Sequence, residues 1–519
     1  MTPKPDRARD RGGPASSAEA PAAPRPPRPL LWVALGLLLA GFAVALYALL
    51  YRPDYVVLVR FDDLEEGWFR TQIADFAEKR HIHLTTRSYR DGAELERLLR
   101  AEALERKSRV LAALVPQSML SPLADEDLVV PLDDLRETVR LRAFLARMTA
   151  DALAPASARG RPHYVPATIS TPLLFYSKRQ LADAVVHWNE ERARSDAALA
   201  REIGQGLPDG YRLEDDPADW DTYDVAVVAA YWASRPWEGL TAPRVAHAAV
   251  GDAAAHDLAT FAYAQGAHSE DLLELDGVGL RDALAWESVF LREGWYHPAM
   301  AREQWQPRDL LTAAAQGQLF LGWLDSADLF RLHGTGAQGL EGFLREPADL
   351  GVSRVPRGVS LDLERGRVAR AGDPNAAISG LWWGIPRSAP EKDLAFDLVE
   401  HLSDREFQVA WARTFGRLPA RRDLLGEIDL VFEPEWQFAI ARVAKHQAID
   451  RGRPLPAASR WRKNEAALVA AWREGCVGKH VTSALDLALL LRRKIQEQEL
   501  PGAASGDTAA AAGGGSAGR

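Results

Sequence analysis

YVVLVRFDDLEEGWFRTQIADFAEKRHIHLTTRSYRDGAELERLLRAEALERKSRVLAALV (Tyr55–Val115) decides the fold. YVVLVRF (Tyr55–Phe61) is a short β-branched run and reads as a buried strand. The acidic turn Asp62–Gly67 leads into a helical pattern through Trp68, Phe69, Ile73 and Phe76. IHLTTRSY (Ile82–Tyr89) reads as a second strand, AELERLLRAEALE as a helix, and VLAALV (Val110–Val115) as a third strand. Strands alternating with helices imply an α/β fold whose parallel sheet has short, right-handed crossovers. Ligands of such sheets bind beyond the C-terminal ends of the strands, which singles out loops 61–68, 89–92 and 115–122.

Upstream lies an unbroken apolar run, LLWVALGLLLAGFAVALYALLY (Leu30–Tyr51), free of Asp, Glu, Lys and Arg. At ~1.5 Å rise per residue it can cross the ~30 Å hydrocarbon core of a bilayer as one N-terminal transmembrane helix. Lys4, Arg7, Arg9, Arg11, Arg25 and Arg28 precede it, whereas only Arg52 and Arg60 follow closely. That asymmetry puts the N-terminus in the cytoplasm and the chain after Arg52 outside. A cleaved secretory signal is the alternative, because Ala43-Val44-Ala45 has small-x-small spacing. The run exceeds the usual ~7–15 residue signal core and the leader is long and Pro-rich, which favours an uncleaved signal anchor. The only cysteine, Cys476, is far downstream, so a lipoprotein anchor and an internal disulfide are both excluded. Residues 1–29 read as a disordered cytoplasmic leader and 501–519 as a disordered Gly/Ala/Ser tail.

Roughly 450 residues remain, too many for one hydrophobic core and suggestive of two or three domains. The net charge of −9, without a Lys/Arg cluster beyond the leader, argues against a nucleic-acid partner. The 16 tryptophans are mostly expected in the core, with some free to face a ligand, since flat rings stack on sugar faces.

Further along, strands are expected at Leu173–Tyr176, Gln318–Leu324, Asp349–Pro356 and Ala377–Pro386. Helices are expected from 215–224 onward and over 253–266, 278–294, Asp309–Gly317 and Lys392–Leu402. Five segments carry a family likeness in order: SPLADEDLVVPLDDL (Ser121–Leu135), YVPATISTPLLFYSKRQL (Tyr164–Leu181), PADWDTYD (Pro217–Asp224), AAAQGQLFLGWLDSA with LGVSRVPRG, and Ile378–Leu424. The last, ISGLWWGIPRSAPEKDLAFDLVEHLSDREFQVAWARTFGRLPARRDL, is the most specific. Together they resemble the family 1 extracellular solute-binding proteins of ABC transporters, the maltose-binding-protein type, over roughly residues 55–500. The resemblance implies a two-lobed periplasmic-binding-protein type II fold, hinged by crossing strands, with a solute between the lobes. Lobe one is expected at 55–165 with 355–402, and lobe two at 166–354 with 403–500.

On that pattern Asp62, Asp63, Glu65, Tyr89, Gln117 and Ser118 are ligand-binding candidates at strand ends of lobe one. For the acids, a helix first turn that satisfies the dipole is the competing reading. Val115-Pro116-Gln117-Ser118 departs from the acidic and aromatic residues the family often places there. Ser170 and Thr171 come from the crossover, and Trp323, Asp325 and Ser326 from the end of the QLFLGWL strand. Ser379 and Trp382 come from the third crossover, and Arg417 follows in FGRLPAR. Trp382 and Trp383 must point to opposite sides of a strand, with Trp382 assigned to the cleft. Tyr231, Trp232 and Trp237 read as core.

Enzyme signatures are missing: no H-E-x-x-H, G-x-S-x-G or phosphate loop occurs. Gly334–Gly339 fits G-x-G-x-x-G, but FRLH precedes it instead of a buried strand, so it reads as a loop. His81, His83, His163 and His297 lack metal-ligand spacing. The expectation is a binding protein without enzymatic activity, cofactor or metal, which presents a small solute, best a sugar, to ABC permease subunits. A ligand sensor on the same fold and an exported glycan hydrolase are the alternatives.

Overall fold

The computed structural model describes residues 32–33, 35–42, 52–105, 108–235, 244–333, 347–362, 367–477, 490, 491, 493, 494 and 497. The leader, the Gly334–Gly339 loop, Trp237 and the tail beyond residue 500 lie outside them. Of the apolar run, residues 32–33 and 35–42 are helical, and the rest lies outside the described residues. Among the described residues, no helix is long and apolar enough to cross a membrane. The chain forms two units, 1–53 and 54–519.

In chain order the strands of the two main sheets of the second unit are β1 (Asp54–Val59), β2 (His83–Ser88), β3 (Val110–Pro116), β4 (Tyr164–Ser170), β5 (Leu173–Ser177), β6 (Arg244–Ala246), β7 (Leu319–Leu324), β8 (Leu350–Ser353), β9 (Ala376–Gly384), β10 (Leu418–Pro419) and β11 (Gly452–Pro454). The helices that matter to the site are α1 (Asp63–Lys79), α2 (Gly92–Leu104), α3 (Gly251–Ala264), α4 (Val278–Arg292), α5 (Ser326–His333), α6 (Lys392–Leu402), α7 (Arg405–Phe415), α8 (Glu435–Asp450) and α9 (Ser459–Trp472).

The first sheet runs β2–β1–β3–β9–β4–β10, with β11 beside the start of β9. Its opening is the parallel β1, β2, β3 set expected from Tyr55–Val115, connected through α1 and α2. β3 is buried along its whole length, whereas β2, the edge strand, alternates polar and partly exposed residues. β9 then enters antiparallel between β3 and β4. At Gly380 the two backbones come so close that a Cβ would lie 2.1 Å from the Thr168 carbonyl oxygen, so only glycine fits there.

Helices cover both faces of this sheet. Val57, Phe69, Trp383 and Trp411 fill one side; Leu58, Leu95, Val115 and Trp382 fill the other. Phe69 and Trp383 stack with ring centroids 5.8 Å apart. α7, expected in lobe two, instead contributes to this core. Phe407 and Trp411, four residues apart, share a helix face, and the Phe407 ring meets Phe69 edge-on at 5.9 Å.

The second sheet runs β8–β5–β7–β6, with β5 antiparallel to both neighbours and β6 parallel to β7. It carries the larger core, to which Trp220, Tyr231, Trp232, Trp286, Trp461 and Trp472 contribute. The helix expected after Pro217 starts at Thr222 behind a reciprocal cap: Asp221 accepts from the Asp224 N–H, and Asp224 accepts from the Asp221 N–H. The amphipathic segments at 253–266 and 278–294 are α3 and α4. The chain passes from the first sheet to the second at Thr171-Pro172, between β4 and β5.

Candidate functional site: a polar cavity between the lobes

A cavity of ≈ 250 Å³ opens where the two sheets face each other. Lobe one lines it with Arg60 just after β1, Pro116, Gln117 and Ser118 at the end of β3, Thr168 and Ser170 of β4, Ser379, Gly380 and Leu381 of β9, and Arg417 before β10. Lobe two adds Asp252, Ala253 and His256 from the start of α3, Asp325 at the end of β7, Leu455, and Glu465 of α9. The site thus sits beyond the carboxyl ends of β1, β3 and β7, where an open α/β sheet presents its loops.

Charges meet across the gap. Arg60 pairs with Asp252 at 3.0 Å, and Asp325 accepts a 2.9 Å hydrogen bond from Ser170. Arg417 approaches Asp325 at 4.0 Å while gripping Glu65 through Nε and Nη2 at 3.1 and 3.0 Å. Burial opposes the Arg417 charge, but Glu65, Asp325 and Asp328 outweigh it and hold the guanidinium pKa above its ordinary value. Burial, then the Asp252 charge, pushes the Glu465 carboxyl well above the usual carboxylate range. His256 is pushed down by burial, against the hydrogen bond that its Nε2 donates to the Ala377 carbonyl at 3.0 Å. Gln117 is 6% exposed. Its Nε2 donates to the Leu455 carbonyl at 3.0 Å, while its Oε1 is buried without a hydrogen-bond partner.

Of the residues nominated from sequence, Gln117, Ser118, Ser170, Asp325, Ser379 and Arg417 come together in this cavity. The others do not line it. Asp62 caps α1, accepting from the Glu65 N–H at 2.8 Å, and pairs with Arg331 of α5 in the other lobe. Asp63 is an exposed first-turn residue of the same helix. Glu65 is fully buried and already occupied by Arg417 and by the Trp411 indole N–H at 2.7 Å. Tyr89 is a core residue whose hydroxyl donates to the Leu114 carbonyl. Thr171 and Ser326 are buried, with Ser326 donating to the Gly416 carbonyl at 2.7 Å.

Trp382 is the clearest correction. Alternation does send Trp382 and Trp383 to opposite faces, but β9 is a central strand and helices cover both faces, so both rings are core. The Trp382 indole donates to the Ala152 carbonyl at 2.8 Å. Trp323 packs edge-on against Phe261 at 5.0 Å inside lobe two. Among the described residues lining the cavity, the imidazole of His256 is the one aromatic ring.

Sequence reasoning missed Arg60, Asp252, His256 and Glu465. Arg60 falls one residue before the loop singled out at 61–68. Asp252 and His256 share a face of α3 at i and i+4 spacing, a legible pattern had the helix N-terminus been placed at the cleft. Glu465 carries no local signal, because only the packing of α9 brings it in.

Two α/β lobes, joined by crossing strands and facing each other over a polar cavity, define a two-lobed periplasmic-binding-protein fold. The chain belongs to the bacterial extracellular solute-binding protein family, whose sequence model matches residues 71–437. Maltose-bound MalE3 of T. maritima is similar, with a TM-score of 0.62 and 14% identity over 85% of this chain and 99% of that one. An ABC transporter solute-binding protein of Thermotoga lettingae, bound with alpha-D-tagatose, gives 0.61 and 14% over 86% and 100%. The sugar-binding protein MalE of Xanthomonas citri gives 0.59 and 17% over 86% and 97%. At such identities these likenesses establish the fold. No curated protein matches the sequence significantly.

Proposed function

We propose that this protein is the membrane-anchored solute-binding component of an ABC importer. It takes a small carbohydrate between its lobes by hinge closure and hands it, chemically unchanged, to permease subunits. Leu30–Tyr51 serves as the anchor, holding the binding unit near its permease and raising the local concentration. The observation that carries this reading is the cavity lined from both lobes by hydroxyl, carboxylate, amide and guanidinium groups, which donate to and accept from hydroxyls. A solute touching both lobes favours the closed state because only there does it make both sets of contacts. The similar proteins from T. maritima and Thermotoga lettingae were solved with maltose and with tagatose, in keeping with a sugar.

Titrating the purified full chain with a panel of sugars tests the proposal. Saturable binding with the sugar recovered intact is expected; accumulation of a hydrolysed product would refute it. Ser118→Trp, which places an indole in the cavity, is expected to weaken binding at least about tenfold, worth ~1.4 kcal/mol. The unfolding midpoint of that variant should stay unchanged.

A further inference from the structure

We infer that the cleft selects a neutral solute the size of one sugar ring, held by hydrogen bonds without ring stacking, with Gln117 Oε1 accepting from one of its hydroxyls. This rests on the proposed sugar-binding role and narrows it to a size, a charge and a contact.

Size comes first. A volume of ≈ 250 Å³ falls below the roughly 300–1,000 Å³ of sites that hold drug-sized ligands. The large rings that would extend a binding platform point elsewhere: Trp382 and Trp383 into the two cores of lobe one, Trp323 into lobe two. The described lining offers only small, polar or aliphatic groups besides His256. Pairs from opposite lobes, Arg60 with Asp252 and Arg417 with Asp325, also bridge the gap beside the solute.

Charge is the second argument. Each lining guanidinium has its own carboxylate, Asp252 for Arg60 and Glu65 for Arg417, and burial disfavours the charged forms of Glu465 and His256. A solute with net charge would gain no unpaired partner, and a buried charge without one is strongly disfavoured.

The contact follows from Gln117. The Leu455 carbonyl only accepts, so the amide nitrogen must face it, and the orientation of the side chain is thereby fixed. Oε1 is left as a buried acceptor without a partner, on a residue that lines the cavity. Leaving such a group unsatisfied is costly, and a donor hydroxyl of the solute removes that cost. Gln117 is thus a specificity-determining residue, anchored on lobe two and reading the solute from lobe one.

Calorimetric titration of the full chain with neutral hexoses and pentoses, their uronic acids, their amino sugars, and di- and trisaccharides tests all three parts. A neutral monosaccharide is expected to bind at least tenfold tighter than its uronate, its amino sugar or its trisaccharide. One monodeoxy analogue should lose at least tenfold against the unaltered protein and nothing against Gln117→Met, an interaction that a merely structural role of Gln117 would not produce. Tighter binding of a disaccharide or trisaccharide, or of a charged sugar, overturns the inference and leaves the sugar-binding role standing. Equal losses for every deoxy analogue in both proteins overturn the Gln117 contact. No heat with any saccharide overturns the inference and the role together.

Discussion

Glu65→Ala is expected to lower the unfolding free energy by about 3–5 kcal/mol, the usual cost of stripping one partner from a buried ion pair. The Glu65 carboxylate has no solvent exposure and receives three hydrogen bonds, one from Trp411 and two from Arg417. Alanine leaves the Trp411 indole N–H unpaired and Arg417 with Asp325 4.0 Å away as its nearest remaining carboxylate. The Arg417 side chain retains 19% exposure and can partly rehydrate, so the lower end of the range is expected. Glu65→Gln should cost less, because it still accepts from Trp411. Urea denaturation measures both. A loss under about 1 kcal/mol for Glu65→Ala would mean that the pair behaves as a surface one. The same variants separate a structural Glu65 from a solute ligand, which would alter affinity at unchanged stability.

The second large effect is with pH: the protein is expected to be less stable at pH 8 than at pH 5. Three groups of lobe two act in one direction. Burial pushes the Asp257 carboxyl up to about 7, against the opposing His247 charge and the Ala248 N–H that donates to it at 3.0 Å. Burial and the Asp325 charge push Asp328 up to about 7 as well. The folded protein therefore keeps protons that the unfolded chain has released above about pH 4, so stability falls from about pH 4 up to the folded values of about 7 and levels off above them. His247 is raised, with burial opposing and the Glu287 charge and hydrogen bond prevailing. Its two ring nitrogens face the Ala248 carbonyl at 2.7 Å and Glu287 at 2.9 Å, so both donate and the imidazolium is the bound form. That contribution is complete below the unfolded pKa and is lost as pH climbs through the folded one.

From pH 5 to pH 8 the two carboxyls alone lose of order 5 kcal/mol, since within this window each holds its proton for about two pH units beyond the unfolded chain and each unit is worth ~1.4 kcal/mol. Carboxylates held low, such as Asp133 beside Arg161, act below this window. Urea midpoints at pH 5, 6.5 and 8 measure the slope, and Asp257→Asn should flatten it. A midpoint that rises toward pH 8 would contradict the assignment.

The strands of this fold were legible because their residues are locally consistent. Tyr55–Phe61 and Val110–Val115 are β-branched or aliphatic runs bounded by turns, and they became β1 and β3 within a residue or two. Lys392–Leu402 is a helix over the same span. Alternation correctly divided Trp382 from Trp383, yet it could not say that both sides of β9 are covered, since α6 and α7 from later in the chain enclose Trp383 while Leu95, Leu99, Leu120 and Leu123 from far earlier enclose Trp382. Acidity near a strand end likewise nominated Glu65, whereas the approach of Arg417, distant in sequence, turned that carboxylate inward. Gln117, Ser118 and Ser170 were found because they terminate strands. Asp252 and Glu465 were missed because helices of the second lobe deliver them.

The paired indoles of β9 also bear on how this protein can be watched. Trp382 and Trp383 are sealed from solvent on either side of one strand and share no wall with the cavity. Their emission reports whether the first lobe is intact and should change little when a solute arrives. The signal of these two indoles is thus a readout of denaturation and not of occupancy, which calls for a dye attached at the mouth of the gap.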